Sequence, residues 1–235
     1  MRNYLDPKHD LLFKRIFGKH SDLLKSLLNA LLPLEEKQYI TNIEYFPDEI
    51  KENLPTGKSL DVTAFCEDNR QEKFIVTTQM YRNTSFQNQL LFNVTNSYVR
   101  QYKLNGNYHL FPVYGLGFIN TIFNDKNKEY YHHYCLCDCS DGGAAKGMND
   151  MEFVMIELPK FTAASIPNNQ KIALWLRFLR DVEENKNIPL DLWDDDDIRQ
   201  AIELCDVNKF TDEEIYNYKK YQEIIHTKNA TPDTE

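Results

Sequence analysis

The side chains best suited to chemistry lie in two short alternating stretches, "SLDVTAFC" and "KFIVTTQM". If these pair as an antiparallel hairpin across the polar "DNRQE", a register that sets Asp61 against Thr77 also sets Val62 against Val76 and Ala64 against Phe74. Leu60, Val62, Ala64, Cys66, Phe74 and Val76 then share one face and make core. Asp61, Thr63, Thr77 and Gln79 share the other, where a carboxylate beside hydroxyls and an amide makes a small polar cleft. Such a group is the raw material of an active site. Spacing alone equally allows Asp61 as a strand-edge carboxylate meeting solvent and Thr77 as an ordinary β-branched strand residue.

Two other groups invite chemical readings. His132, His133, Cys135, Cys137 and Cys139 suggest zinc, since alternation puts His133 and the three cysteines on one strand face. Consecutive odd positions on a strand spread over roughly 13 Å, too far to chelate one ion, and structural zinc sites present cysteines as close pairs on turns. A strand face of small, soft core residues is the better expectation. The run Asp194 to Asp197 lacks the spaced ligands and central glycine of a calcium loop; it stands just before "IRQAIELC" and is expected to cap that helix. There is no glycine-rich phosphate loop and no nucleophile elbow.

The elements that must position these residues follow from period and punctuation. In "LDPKHDLLFKRIFG", Asp6 is expected to cap a helix with Pro7 at its first position, Leu11, Leu12, Ile16 and Phe17 on one stripe and Gly18 at its end. "SDLLKSLLNALLP" predicts a second helix, from Ser21 to Pro33. "YITNIEYF", "KSLDVTAFCE" and "KFIVTTQM" read as strands. From Thr84 to Leu104, Phe86, Leu90, Leu91, Val94, Tyr98 and Tyr102 fall on one helical face, which "NGN" ends. "HLFPVYGLGFI" is almost continuously apolar, which implies burial on both faces and a central place in the sheet. "KEYYHHYCLCDC" and "MEFVMIELP" predict two more strands. "KIALWLRFLRDV", "DDDDIRQAIELC" and "TDEEIYNYKKYQEII" predict helices, the last opening on a Thr211/Glu214 capping box.

With 235 residues the chain can bury a sizeable core without disulfides or metal. Its five cysteines, three of them in "CLCDCS", do not form a secreted disulfide framework, and reduced thiols are expected. No apolar run approaches the roughly 20 residues of a membrane span, and "MRNYLDPKHD" has no signal-peptide core, so a cytoplasmic protein is expected. A net charge of -9 argues against non-specific coating of nucleic acid, though a local basic patch would not be visible in that sum.

The order helix, strand, strand with Asp, strand with a polar pair, helix, strand is similar to the PD-(D/E)XK nuclease core. More narrowly, "YLDPKHDLLFKRIFG", "LLNALL", "IEYF", "GKSLDVTAFCEDNRQEKFIVTTQ", "FPVYGLGFI" and "ELPKF", in that order, resemble the PD-(D/E)XK nuclease family transposases, also called recombination-promoting nucleases. The resemblance implies an α/β, restriction-endonuclease-like core, a mixed β-sheet flanked by helices, over residues 1–165. A helical C-terminal extension (166–228) packed on it and a flexible tail (229–235) complete the expected chain.

In such nucleases two acidic side chains and a backbone carbonyl hold Mg2+, which polarises the scissile phosphate of DNA and activates water. A third side chain, lysine in the parent motif and glutamine in this family, steers that water. By position the resemblance implies Asp61 as the first acid, Gln79 as the third group and Thr78 as the carbonyl. Thr77 stands where relatives have glutamate, in a segment that usually reads like "FIVEMQ", and Gln89 stands where they tend to have arginine. A neutral hydroxyl supplies magnesium no charge and little reach. Asp10 and Glu44 are the candidates to compensate, and Lys58 to meet phosphate. DNA is the implied partner, with a homodimer left open and no membrane. Two readings follow: a transposase-like, recombination-promoting endonuclease impaired at Thr77, or a catalytically inactive nuclease fold acting as a DNA-binding or protein-interaction module.

Overall fold

The apolar run "VYGLGFI" becomes the middle of a sheet. A computed structural model describes residues 3–46, 61–81, 85–106, 110–140, 142–143, 150–162, 170–183 and 187–230. In it β4 (Val113–Ile119) lies between β3 (Lys73–Tyr81) and β6 (Met151–Glu157), parallel to both. β2 (Val62–Asp68) pairs antiparallel with β3, β1 (Ile40–Tyr45) with β2, and β5 (Tyr131–Cys135) with β6. The strand order is β1-β2-β3-β4-β6-β5.

Helices cover both faces, as parallel strands require. The even-numbered side chains of β2 and β3, among them Val62, Ala64, Val76 and Met80, share one core with α1 (Asp10–Phe17), α2 (Ser21–Leu31), α4 (Gln170–Asp181) and α5 (Asp196–Leu204). Each fully buried phenylalanine there, Phe13 and Phe17 included, contributes about 2 kcal/mol. The opposite face carries Ile75 and Tyr81 against Phe86, Leu90 and Val94 of α3 (Phe86–Asn105). A sixth helix, α6 (Asp212–Ala230), begins on the reciprocal Thr211/Glu214 box, with Thr211 N–H to Glu214 Oε2 at 2.8 Å and Glu214 N–H to Thr211 Oγ1 at 3.2 Å. The result is the α/β architecture expected, a mixed six-stranded sheet flanked by helices. No helix among the described residues is long and apolar enough to cross a membrane.

The two ends of the chain are stitched together. Lys8 Nζ, almost fully buried, reaches Asp6 at 3.0 Å, Glu183 at 3.3 Å and the Leu179 carbonyl at 3.2 Å. Arg15 pairs with Glu214 and lies 4.0 Å over the Phe210 ring. Trp175, wholly buried, donates from Nε1 to Ser26 Oγ and packs edge-on against Phe17. Asp195 caps α5 by accepting from Asp197 N–H and Ile198 N–H, so the acidic run is a helix start rather than a calcium loop.

Three expectations need correcting. Asp6 does not cap α1; its carboxylate accepts from Lys8 N–H in the preceding turn, and His9 caps the helix, which starts at Asp10. On α3, Leu91 and Tyr102 are exposed, while Asn93, Ser97 and Gln101 are buried, because the helix leans on the sheet along a ridge that includes polar positions. The cysteine strand ends at Cys135, and Cys135, Cys137 and Cys139 are all exposed instead of forming core. β5 is an edge strand, and its outer end is left uncovered.

At the other end of β6 a buried charge is fully compensated. Glu157 accepts from Lys160 Nζ at 2.6 Å, meets His132 Nε2 at 2.8 Å, and accepts from Phe123 N–H at 2.9 Å. Lys160 Nζ also holds the carbonyls of Asn124 and Asn127, at 2.7 and 2.6 Å. The "ELPKF" stretch is thus a clamp on the chain between β4 and β5. Burial pushes the Glu157 carboxyl up, but Lys160, the Phe123 N–H and His132 together hold it below its usual value. Because the folded-state value is depressed, this carboxylate stabilises the fold above the unfolded carboxyl's titration and loses that contribution as pH falls through the folded one. Glu157→Gln is expected to cost about 3 kcal/mol at neutral pH, where Lys160 is left buried without its anion. The gap from wild type should narrow in urea titrations as the medium is acidified.

Candidate active site

The polar cleft is set by the β2–β3 hairpin, and its register is one of the differences from expectation. Thr63 lies opposite Thr77, Val62 opposite Thr78 and Cys66 opposite Phe74, two residues from the anticipated pairing. The loop explains the shift. Asp68, almost fully buried, accepts from both Arg70 N–H and Glu72 N–H at 2.8 Å and from Gln38 Nε2 at 2.6 Å, while Gln71 takes φ 66. The turn so pinned spans Asp68 to Glu72, and pairing resumes at Glu67 and Lys73. A slip of two preserves every side chain's face. Asp61, Thr63, Thr77 and Gln79 therefore still share one side, that of α3.

Asp61 stands half-exposed at the start of β2, with the buried Thr63 and Thr77 beside it. Thr63 Oγ1 lies 3.0 Å and Thr77 Oγ1 3.2 Å from Asp61 Oδ2, and the two hydroxyls are 3.2 Å apart. Each hydroxyl has one proton, and a carboxylate oxygen accepts both. Thr77 thus occupies the place beside Asp61 where a second carboxylate would meet it, and supplies a donor instead of a charge.

One step further along the same face, Gln79 Oε1 accepts from Asn93 Nδ2 at 3.0 Å, and the same nitrogen lies 3.4 Å from the Tyr81 hydroxyl. Burial, and after it the negative charge of Asp61, raise the Tyr81 hydroxyl well above its ordinary value against the opposing bond from Asn93, so it stays protonated. Asn93 reaches this row because α3 lies unusually close to the sheet. Gly115 is paired beside Thr77 and Gly117 beside Gln79. A Cβ on Gly115 would sit 2.4 Å from Val94 Cγ2, and one on Gly117 3.1 Å from the Tyr81 ring.

The remaining candidates are dispersed. Glu44 is exposed and pairs with Phe65, on the right face but roughly 13 Å along β2 from Asp61. Between them Phe46 stacks on Phe65 with centroids 4.2 Å apart. Asp10 is buried in the first turn of α1, a helix packed against the opposite face of the sheet. Thr78 points its side chain to that opposite face too, where its buried Oγ1 has no hydrogen-bond partner among the described residues. Lys58 lies outside the described residues. Gln89 is half-buried one turn before Asn93. Among the described residues, no three His, Cys, Asp or Glu side chains are placed to hold a metal ion.

Asn93 and Tyr81 escaped the sequence reading. Tyr81 merely extends the odd-numbered face of β3. Asn93 belongs to a series with a legible period, Gln89, Asn93, Ser97, Gln101, four polar residues at a spacing of four beside the apolar Phe86, Leu90 and Val94. Its last member bonds Phe111 through both ends of its amide.

A family model described as PD-(D/E)XK nuclease family transposase matches residues 7–234. The chain belongs to that family. No curated protein and no solved structure matches it. Membership supports a nuclease-like function, for which DNA is the indicated substrate, and PD-(D/E)XK nucleases generally use divalent metal ions. Among the described residues, the side chains of this cleft do not present a two-acid metal set. Its oxygens are hard donors of the right kind, but Asp61 is the one carboxylate among the described ones, and its Oδ2 already accepts from two hydroxyls.

Two stability outcomes test this geometry. Gly115→Ala should lower stability by about 2 kcal/mol in chemical denaturation, as α3 is forced off the sheet. Thr78→Val should raise stability by about 1 kcal/mol, since it removes a buried hydroxyl with no partner; a lower midpoint would show that this hydroxyl is bonded.

Proposed function

We propose that this chain is a transposase-like, recombination-promoting DNA endonuclease whose Mg2+-dependent phosphodiester hydrolysis is impaired at one position. The observation that carries this reading is the 3.2 Å contact of Thr77 Oγ1 with Asp61 Oδ2. A hydroxyl stands where a second anion would complete a site for a hard cation, while the first acid and the amide remain on the same face. In the wild-type chain Gln79 meets the DNA backbone as a half-exposed amide, while the Asp61 carboxylate needs a cation between it and a phosphate. Asp61 alone would leave the charge of a divalent ion unbalanced. Five free thiols suit a reducing, cytoplasmic setting.

A second reading has its own support. Asp61 is satisfied by two neutral donors, an arrangement that is stable without metal, and this favours a catalytically inactive DNA-binding or protein-interaction module.

Titration calorimetry with Mg2+ or Mn2+ and nicking of supercoiled plasmid separate the two. Thr77→Glu is expected to bind the metal and to nick at least about tenfold faster than wild type, with Asp61→Ala in that background abolishing both. A folded Thr77→Glu protein that neither binds metal nor nicks DNA decides for the inactive module.

A further inference from the structure

The amide of Gln79 has two ends of opposite character, and its surroundings select which one is presented. Asn93 is almost fully buried, on a helix that approaches the sheet closely at Gly115. Its Nδ2 carries two protons and lies between two oxygens, Gln79 Oε1 at 3.0 Å and the Tyr81 hydroxyl at 3.4 Å. With Oε1 so engaged, the Nε2 end of the half-exposed Gln79 is left over, and among the described residues no hydrogen bond uses it.

We propose that Asn93 is a positioning residue that turns Gln79 so that its N–H2 end faces the Asp61 side of the cleft, as a donor for a phosphoryl oxygen of DNA. This inference rests on the DNA-directed reading above and deepens it.

The electrostatics of the face agree. The ladder pairs Val62 with Thr78, so one step earlier Asp61 comes level with Gln79 across the two strands. If both amides were reversed, Asn93 Oδ1 would receive Gln79 Nε2 and the Tyr81 O–H, and Gln79 Oε1 would face the Asp61 carboxylate, acceptor against acceptor. With Oε1 bonded to Asn93 the N–H2 end is the one left to meet that negative charge, and Tyr81 keeps its own proton to donate elsewhere. The consequence for chemistry is specific. A donor at this place cannot take a proton from water, so Gln79 binds and orients an anionic oxygen and is no base. Lysine there would make the same kind of contact without needing Asn93, because an ammonium has no acceptor end to be turned away.

That difference makes the test. Binding of a short DNA duplex, measured by fluorescence anisotropy without metal at low salt, should weaken about tenfold in Asn93→Ala. In the Gln79→Lys background the same Asn93→Ala change should cost less than about twofold. Equal losses in both backgrounds would show a merely structural role for Asn93 and overturn the proposal.

The orientation is read independently from side-chain amide 15N signals. The Gln79 N–H2 pair, assigned by its disappearance in Gln79→Glu, should exchange quickly with solvent, and the Asn93 pair slowly. Slow exchange at Gln79 with fast exchange at Asn93 refutes the orientation whatever binds. Failure of wild type and Gln79→Lys alike to bind duplex sinks the DNA-directed reading and the phosphate half of this inference with it. The turning of Gln79 by Asn93 then stands or falls on the amide signals alone.

Discussion

Everything in the cleft depends on how closely α3 can approach the sheet. Two glycines on β4 remove the Cβ atoms that would otherwise stand against Val94 and Leu90, and those glycines are paired with Thr77 and Gln79. The same residues that let the helix down therefore set which β3 side chains it covers. Lowered that far, α3 brings a polar ridge into contact with the sheet as well as an apolar one, and each polar member must find a partner or cost the fold its desolvation. Gln101 finds the backbone of Phe111, and Asn93 finds Gln79 and Tyr81. A packing constraint thus becomes a constraint on the Gln79 amide.

Two carboxylates of the sheet, Glu157 and Asp61, are in contrasting states. Glu157 is wholly buried and meets a lysine, a histidine and a backbone N–H, so its charge is neutralised and its lone pairs are used. Such a group is committed to structure, because removing any partner leaves a buried charge. Asp61 is half-exposed and meets two hydroxyls, which satisfy an oxygen without cancelling its charge. Its negative charge is felt at Tyr81 instead. An anion met by neutral donors at the start of a strand retains the capacity to meet a cation or an oriented donor, which a clamped one lacks.

Much of this was legible in the residues. Period and alternation placed the helices and strands that frame the cleft, and the continuous apolar run of β4 identified the centre of the sheet, because two-sided burial leaves no other pattern. The faces of β2 and β3 were legible as well, and survived an error of two in register because side-chain direction repeats every two residues. The register itself was not, since it depends on Asp68 gathering Gln38 and two loop N–H groups from a distance in sequence that local pattern does not reach. The cysteines misled for a similar reason. Alternation says which residues share a face, but not whether another layer covers it, and β5 lies at an edge.

Thr77 illustrates how far a single substitution can alter the state of a site without altering its frame. A β-branched hydroxyl keeps the strand's preference, fills its place between Thr63 and Gly115, and gives Asp61 a donor, so folding is not opposed at that position. A glutamate there would set two like charges side by side, which a protein tolerates only when a cation or a proton is supplied to share. The threonine sets no second charge beside Asp61 and places no such demand on the fold. The geometry of Asp61, Gln79 and Asn93 is held by hydrogen bonds and close packing, so the frame of the site does not itself depend on the charge at position 77.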